Sequence, residues 1–225
     1  MAILLQNLVA RSPSLNDLSD VTSLLIACDI IEDGMSDYTE EELLADWQRL
    51  GFNLETNAWV ITTTKGQIVG FADVWSCDYT SINMRVRVHP ASLGRGIGTL
   101  LLRLAEHKAR QYLRKAPSGL RVVLQSPVSS GNLEARNLLE QEGYIPVRQF
   151  WRMMIDVDEA ADGSYQSSKL KFDLYTEMQQ LVGLAQPHQR TGIYIARQYD
   201  IYEKELRAGK ELPTNIDLPV QSACT

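Results

Sequence analysis

The spacing of apolar residues along this chain switches between two periods, and each switch marks an element. Ile3 to Ala10 is mostly apolar and stops at Arg11-Ser12-Pro13, as a first strand would. Ser14 or Asn16 stands where a cap is needed for a helix that places Leu18, Val21, Leu24, Leu25 and Cys28 on one face. Glu32-Asp33-Gly34 ends it. Thr39 followed by Glu42 is a capping box, opening a second helix with Leu43, Leu44, Trp47 and Leu50 that Gly51 stops. Ala58 to Thr63 and Gln67 to Trp75 read as strands joined around Lys65-Gly66, and Ser81 to Val88 as the next strand. There Val86 and Val88 alternate with Arg85, Arg87 and His89, the period of a half-buried strand. Pro90, which lacks the N–H to extend a ladder, stops it.

Gly94, Gly96 and Gly98 then fall at every second position, and from Thr99 the residues Leu100, Leu101 and Leu104 take helical spacing to about Arg114. Leu120 to Leu124, broken by Arg121 alone, reads as a largely buried strand. Asn132 to Gly143 is an amphipathic helix with Ala135, Leu138 and Leu139 inward, and Val147 to Val157 is a long final strand. A glycine-rich turn entering a helix leaves several N–H groups aimed at one point, with the positive end of the macrodipole behind them. That is an anion site suited to a phosphate or pyrophosphate. No lysine follows the glycines as a P-loop requires, and G-x-G-x-G is not the dinucleotide spacing G-x-G-x-x-G.

What remains is Val88-x-Pro90, then Gly94-Arg95-Gly96-Ile97-Gly98 and a leucine-rich helix, which resembles the acetyl-CoA loop of the GNAT family of N-acetyltransferases. Asn132, Ala135, Leu138, Glu140, Gly143 and Tyr144 are similar to that family's second signature, N-x-x-A-x-x-L-[Y]-E-x-x-G-[FY]. The resemblance covers residues 1 to about 158, with element order β-α-α-β-β-β-α-β-α-β. It implies an α/β (α+β) fold with a central mixed, mostly antiparallel sheet and helices on both faces. It also implies acetyl-CoA as co-substrate, with the diphosphate on Gly94, Arg95, Gly96, Ile97, Gly98 and Thr99. The pantetheine arm would run along the backbone of Val86, Arg87 and Val88, with Asn132 in the same binding set. The chain departs from the family pattern at Leu93, where Arg or Gln is usual, at Gln125, where many relatives carry Glu, and at Leu139. The last is where many have the tyrosine proposed to protonate the departing thiolate.

The chemistry so implied is direct acetyl transfer to an amine, with a strand N–H polarising the thioester oxygen and a base taking the ammonium proton. The candidate bases are Glu32 and Asp33 in the loop after the first helix, Asp73 on a strand face with Phe71 and Trp75, and Asp78 beyond it. Asp73 leads among them. Tyr79 and Tyr144 are candidate proton donors, with Tyr144 taken forward alongside Asp73 as a catalytic residue. His89, His107 and His188 are scattered and make no metal site, so no metal is expected. The competing reading is a CoA-binding or regulatory domain with weak or no turnover, because Leu93, Gln125 and Leu139 replace functional groups.

Composition narrows the partners. The formal net charge of −6 argues against nucleic acid or an anionic membrane as the main partner, and is compatible with the small-molecule or peptide amine that the resemblance implies. The start of the chain lacks a charged n-region, and no run approaches the length of a membrane span, so a cytoplasmic protein is expected. Cys28, Cys77 and Cys224 are odd in number and far apart, which points to reduced thiols. Residues 159–225 are expected to be a C-terminal extension. Val147-Arg148-Gln149-Phe150 and Ala196-Arg197-Gln198-Tyr199 share a frame, suggesting a truncated second repeat. A helix over Lys169 to Leu184, a strand or helix over Ile193 to Leu206 and a disordered end from Ala208 complete that expectation. A homodimer is one assembly such a tail would support.

Overall fold

The computed structural model describes residues 3–5, 7–36, 38–161, 164–177 and 193–211. Its strands join one sheet in the order β1-β2-β3-β4-β5-β6-β9-β7-β8. The first strand expected from sequence is a hairpin of β1 (Ile3–Leu5) and β2 (Leu8–Arg11), because Asn7 turns the chain back at φ 71°. Asparagine tolerates this left-handed conformation. Helix α1 (Leu18–Asp33) enters through a short 3₁₀ turn, Leu15–Asp17, and ends at Gly34 with φ 78°. Glu32 and Asp33 therefore sit in the last turn of α1, not in the loop after it. Helix α2 (Glu40–Gln48) is capped by Thr39, whose hydroxyl accepts from the Glu42 N–H at 3.1 Å. A four-residue helix, α3 (Leu54–Asn57), leads into β3 (Ala58–Thr63), β4 (Ile68–Trp75) and β5 (Ser81–Val88), an antiparallel meander.

Successive strand residues face opposite ways. Val60 and Phe71 meet Val21, Leu25, Leu43 and Trp47 of α1 and α2. Val74, Ile82 and Leu124 meet Leu102 and Ala105 of α4 (Ile97–Tyr112) and Leu139 of α5 (Leu133–Gln141). Helices thus cover both faces of a mixed, mostly antiparallel sheet, as expected. Strand β6 (Val122–Ser129) runs beyond the expected Leu124.

The chain after β7 (Ile145–Ala161) departs most from expectation. Ser164–Glu177 is a strand, β8, and not the start of a helix. Leu170, Phe172 and Leu174 alternate with Lys169, Lys171 and Asp173, a period of two that favours a strand. The remainder of the expected helix, 178–184, lies outside the described residues. Ile193–Arg207 is β9, and it lies between β6 and β7, antiparallel to both. A boundary near residue 158 therefore cuts through one continuous sheet. The two similar tetrapeptides are neighbours in it: Phe150 pairs with Tyr199, and their rings stack 4.7 Å apart. β7 is thus not the final strand. The expected disordered end falls outside the described residues except for 208–211, where Lys210 bridges to Leu120.

Cys28 is a buried free thiol and Cys77 is disulfide-bonded, a correction to the expectation of reduced thiols. An odd cysteine count allows a bond beside a free thiol. Among the described residues no helix is long and apolar enough to cross a membrane.

Candidate active site

Strands β5 and β6 are parallel and pair over Ser81–Val123, Ile82–Leu124 and Asn83–Gln125. They then part. Beyond that point β5 stays paired with β4, and β6 with β9. Pro127 lacks a backbone donor just where β6 separates from β5. The opening leads into a cleft of about 470 Å³ walled by Val86, Arg87 and Val88 of β5, and by Ser126 and Val128 of β6. Gly94, Gly96, Ile97, Gly98 and Thr99, with Asn132, Ala135, Leu138 and Leu139 at and along α5, also line it.

The glycines are required by shape. Gly94 and Gly96 adopt φ 72° and 75°, where a side chain is strained. Gly98 lies against α5, since a Cβ there would stand 2.9 Å from a Leu138 methyl. Gly70 on β4 lets the first turn of α4 settle onto the sheet, for a Cβ would meet Ile97 at 2.7 Å. Among the described residues the ladder of α4 begins with the Leu100 N–H bonded to the Gly96 carbonyl at 3.0 Å. The N–H groups of Ile97, Gly98 and Thr99 are thus left free at the helix N-terminus, beside the cleft. Arg95 is exposed and is not among the cleft-lining residues, so the structure does not bring it to the site with its neighbours.

The same cleft borders a buried polar cluster. Asp29, Glu32 and Asp33 occupy the last two turns of α1. Arg197 of β9 pairs with Asp29 at 2.7 Å and donates to the Met35 carbonyl at 2.8 Å. Asp33 accepts from the Ser129 hydroxyl at 2.9 Å and lies 3.7 Å from the Arg197 Nε. Glu32 accepts at Oε1 from the Asn132 Nδ2 at 2.7 Å, while its Oε2 is buried with no hydrogen-bond partner among the described residues. Burial holds the Glu32 carboxyl above its ordinary range, partly offset by the Arg87 charge and the Asn132 hydrogen bond. Asn132 also caps α5, its Oδ1 accepting from the Ala135 N–H at 2.9 Å. One side chain therefore fixes both the helix start and the carboxylate. Arg87, 9% exposed, makes no ion pair or hydrogen bond among the described residues, and its Nε is buried without a partner. Burial opposes its charge, but Glu32, Tyr38 and Asp29 outweigh that and raise its pKa.

The residues expected to be catalytic lie elsewhere. Asp73 is fully buried against Arg85, with contacts at 3.2 Å and 2.5 Å, and does not line the cleft. Tyr144 is packed in the core under Lys204, whose ammonium lies 5.3 Å from the ring centre, and burial pushes its hydroxyl pKa up. Asp78 caps a turn, accepting from the Thr80 and Ser81 N–H groups at 2.8 Å and 3.0 Å. Tyr79 lines a separate cavity at the other end of β5, beside Tyr112. Gln125 donates to Glu203 of β9 at 2.7 Å. Among the described residues no group of three or more His, Cys, Asp or Glu could hold a metal.

Residues 55–146 match the model of the acetyltransferase (GNAT) domain. That segment is a GNAT domain. A search of curated proteins gave no significant match. Among solved structures, a GCN5-related N-acetyltransferase from Sphaerobacter thermophilus is similar in fold, with a TM-score of 0.80 at 19% identity, covering 93% of this chain and 99% of that one. A GNAT superfamily phosphinothricin acetyltransferase from Sinorhizobium meliloti, in complex with acetyl-CoA, gives 0.56 at 12% identity, covering 96% and 95%. An N-acetyltransferase from Staphylococcus aureus gives 0.53 at 16% identity, covering 90% and 100%.

Asp29 and Arg197 are the members of the cluster that the sequence reading passed over. A signal was available. Asp29, Glu32 and Asp33 crowd the C-terminal end of α1, where the macrodipole disfavours negative charge. Carboxylates in such a place imply cations or donors from outside the helix, here Arg87, Arg197, Ser129 and Asn132.

Proposed function

We propose that the protein is an acetyl-CoA-dependent N-acetyltransferase that passes acetyl directly to a primary amine of a small molecule or peptide. The observation that carries this reading is the parting of β5 from β6 into a cleft lined both by the glycine loop with its free helix N-terminal amides and by Glu32. The diphosphate of acetyl-CoA suits the amides of the Gly94 to Thr99 loop, and the pantetheine arm suits the unpaired edge of β5 at Val86 to Val88. Glu32 takes one proton from the acceptor ammonium at its free Oε2. The amine nitrogen then attacks the thioester carbon and sheds its second proton to solvent as the C–S bond breaks, and CoA leaves as thiolate. With Leu139 lining the cleft and the Tyr144 hydroxyl buried in the core, the thiolate takes its proton from solvent. At a thiol pKa of about 8.5 that is a small demand.

The test is calorimetric titration with acetyl-CoA, followed by thiol release against a broad amine panel in the wild type and in Glu32→Gln. Saturable acetyl-CoA binding with amine-dependent thiol release, lost in the variant, is the expected result. No binding at millimolar acetyl-CoA sinks the reading. Binding without thiol release from any amine leaves the alternative of a CoA-binding domain without turnover.

A further inference from the structure

Arg87 and Glu32 each bring one unused polar atom to the same cleft. The Arg87 Nε and the Glu32 Oε2 are both buried, and neither has a hydrogen-bond partner among the described residues. Buried polar groups are as a rule satisfied, and an unpaired buried guanidinium is among the costliest exceptions. Elsewhere in the cluster the Asp33 Oδ2 is likewise buried without a hydrogen-bond partner, but Asp33 does not line the cleft. Arg197 pairs with Asp29 and stands beside Asp33, which also accepts from Ser129. The two orphans influence each other's charge, yet they form no ion pair within 4 Å among the described residues. Where it lines the cleft, the cluster thus offers a ligand one hydrogen-bond donor that is cationic and one acceptor that is anionic, held apart by the fold. The complement of that pair is a zwitterion.

We infer that the acceptor is an amino-acid-type molecule, whose carboxylate is taken by Arg87 and whose amine faces Glu32. This rests on the proposed function for the role of the amine, but the carboxylate contact is independent of turnover. The guanidinium is the part that sets specificity: it distinguishes an amine that carries a neighbouring acid from one that does not. A charge-assisted hydrogen bond in a desolvated cleft makes that distinction large.

The experiment uses the acetylated products, which carry no titrating amine and so isolate the carboxylate. N-acetyl derivatives of the common amino acids are titrated calorimetrically into the full-length protein, each compared with its neutral carboxamide, with and without saturating CoA. At least one acid is expected to bind about tenfold or more tightly than its amide. Arg87→Gln is expected to bring that ratio close to one, and Arg87→Lys to keep part of it. A ratio of affinities does not depend on the fraction of folded protein, so partial misfolding of a variant does not obscure the result. Equal affinity for acid and amide across the panel, no binding of either, or a preference that survives in Arg87→Gln overturns the inference. A uniform loss of turnover with all amines in Arg87→Gln, without acid preference in the wild type, also overturns it, and assigns the guanidinium to the thioester oxygen. Failure of CoA itself to bind, read before the probe is added, counts against the proposed function, and the titrations without CoA then still decide the role of Arg87.

Discussion

Arg85 and Arg87 lie on the same face of one strand, two positions apart, and their surroundings are opposite. Every nitrogen of Arg85 is engaged. Its Nε and Nη2 reach Asp73, Nη2 also reaches Asp46 at 3.2 Å, and Nη1 reaches the Tyr38 hydroxyl at 3.2 Å. Aromatic rings of Phe71, Trp75 and Tyr38 lie within 6 Å of the guanidinium. Arg87 has none of these partners and faces the cleft. The contrast separates a guanidinium built into the fold from one left open to something that comes and goes. Burial alone would have grouped the two together.

The comparison can be broken from either side. The largest effect is expected at the open side, where Glu32→Gln should lower kcat by about 10²–10⁴-fold while leaving the unfolding midpoint nearly unchanged. Because burial raises the Glu32 pKa, its carboxyl in the folded protein stays protonated above the ordinary value near 4.3. Wild-type turnover should therefore rise with pH through a limb above that value, and the limb should flatten in the variant. At the closed side, Asp73→Ala leaves Arg85 charged, buried and half-partnered. A loss of about 3–5 kcal/mol in urea unfolding is expected.

A subtler effect comes from Arg87→Gln. Arg87 is the largest influence holding the Glu32 pKa down, so the acidic limb should move to higher pH, read from a pH–rate profile. An unmoved limb would mean that the two groups are not coupled. Arg11 supplies an intermediate case, half exposed and held in a fork by Asp17 at 2.6 Å and 2.8 Å. The Arg11 hydrogen bonds draw the Asp17 pKa down to about 2. A depressed carboxyl stabilises the fold above its unfolded value near 3.9, and the benefit fades as pH falls through about 2. Asp17→Asn should cost about 1 kcal/mol at pH 7 after allowing for solvent screening, with the cost disappearing in acid. The smallest effect is expected at Arg95, which lies outside the cleft: Arg95→Ala should leave CoA affinity within about twofold in calorimetry.

Local patterns were enough to find the meander, the glycine loop and both helices that flank the cleft, because each depends on contacts close in sequence. Gly94, Gly96 and Gly98 announce the loop, and Asn132 announces the start of α5. The base was less legible. Asp73 sits on a strand face between Phe71 and Trp75, which reads equally as cleft or core, and its pairing with Arg85 depends on strand register. Glu32 gains its position from Asn132, a hundred residues away in sequence. Arg197 reaches Asp29 over a still longer separation. The place of β9 could not be read either, since nothing in its own residues states that it enters between strands already accounted for.

That insertion has a consequence for how the chain is made. Until Ile193–Arg207 has been synthesised, β6 has no neighbour on the side away from β5, and β7 has none on its inner side. Roughly 60 residues separate the end of β6 from the start of β9. At about 5–20 residues per second, the nascent protein carries an open β edge for several seconds. A strand such as Val122–Ser129, left bare for that time, is a template for pairing with another chain. Synthesis speed over this stretch, as much as the stability of the finished sheet, then sets the yield of folded protein.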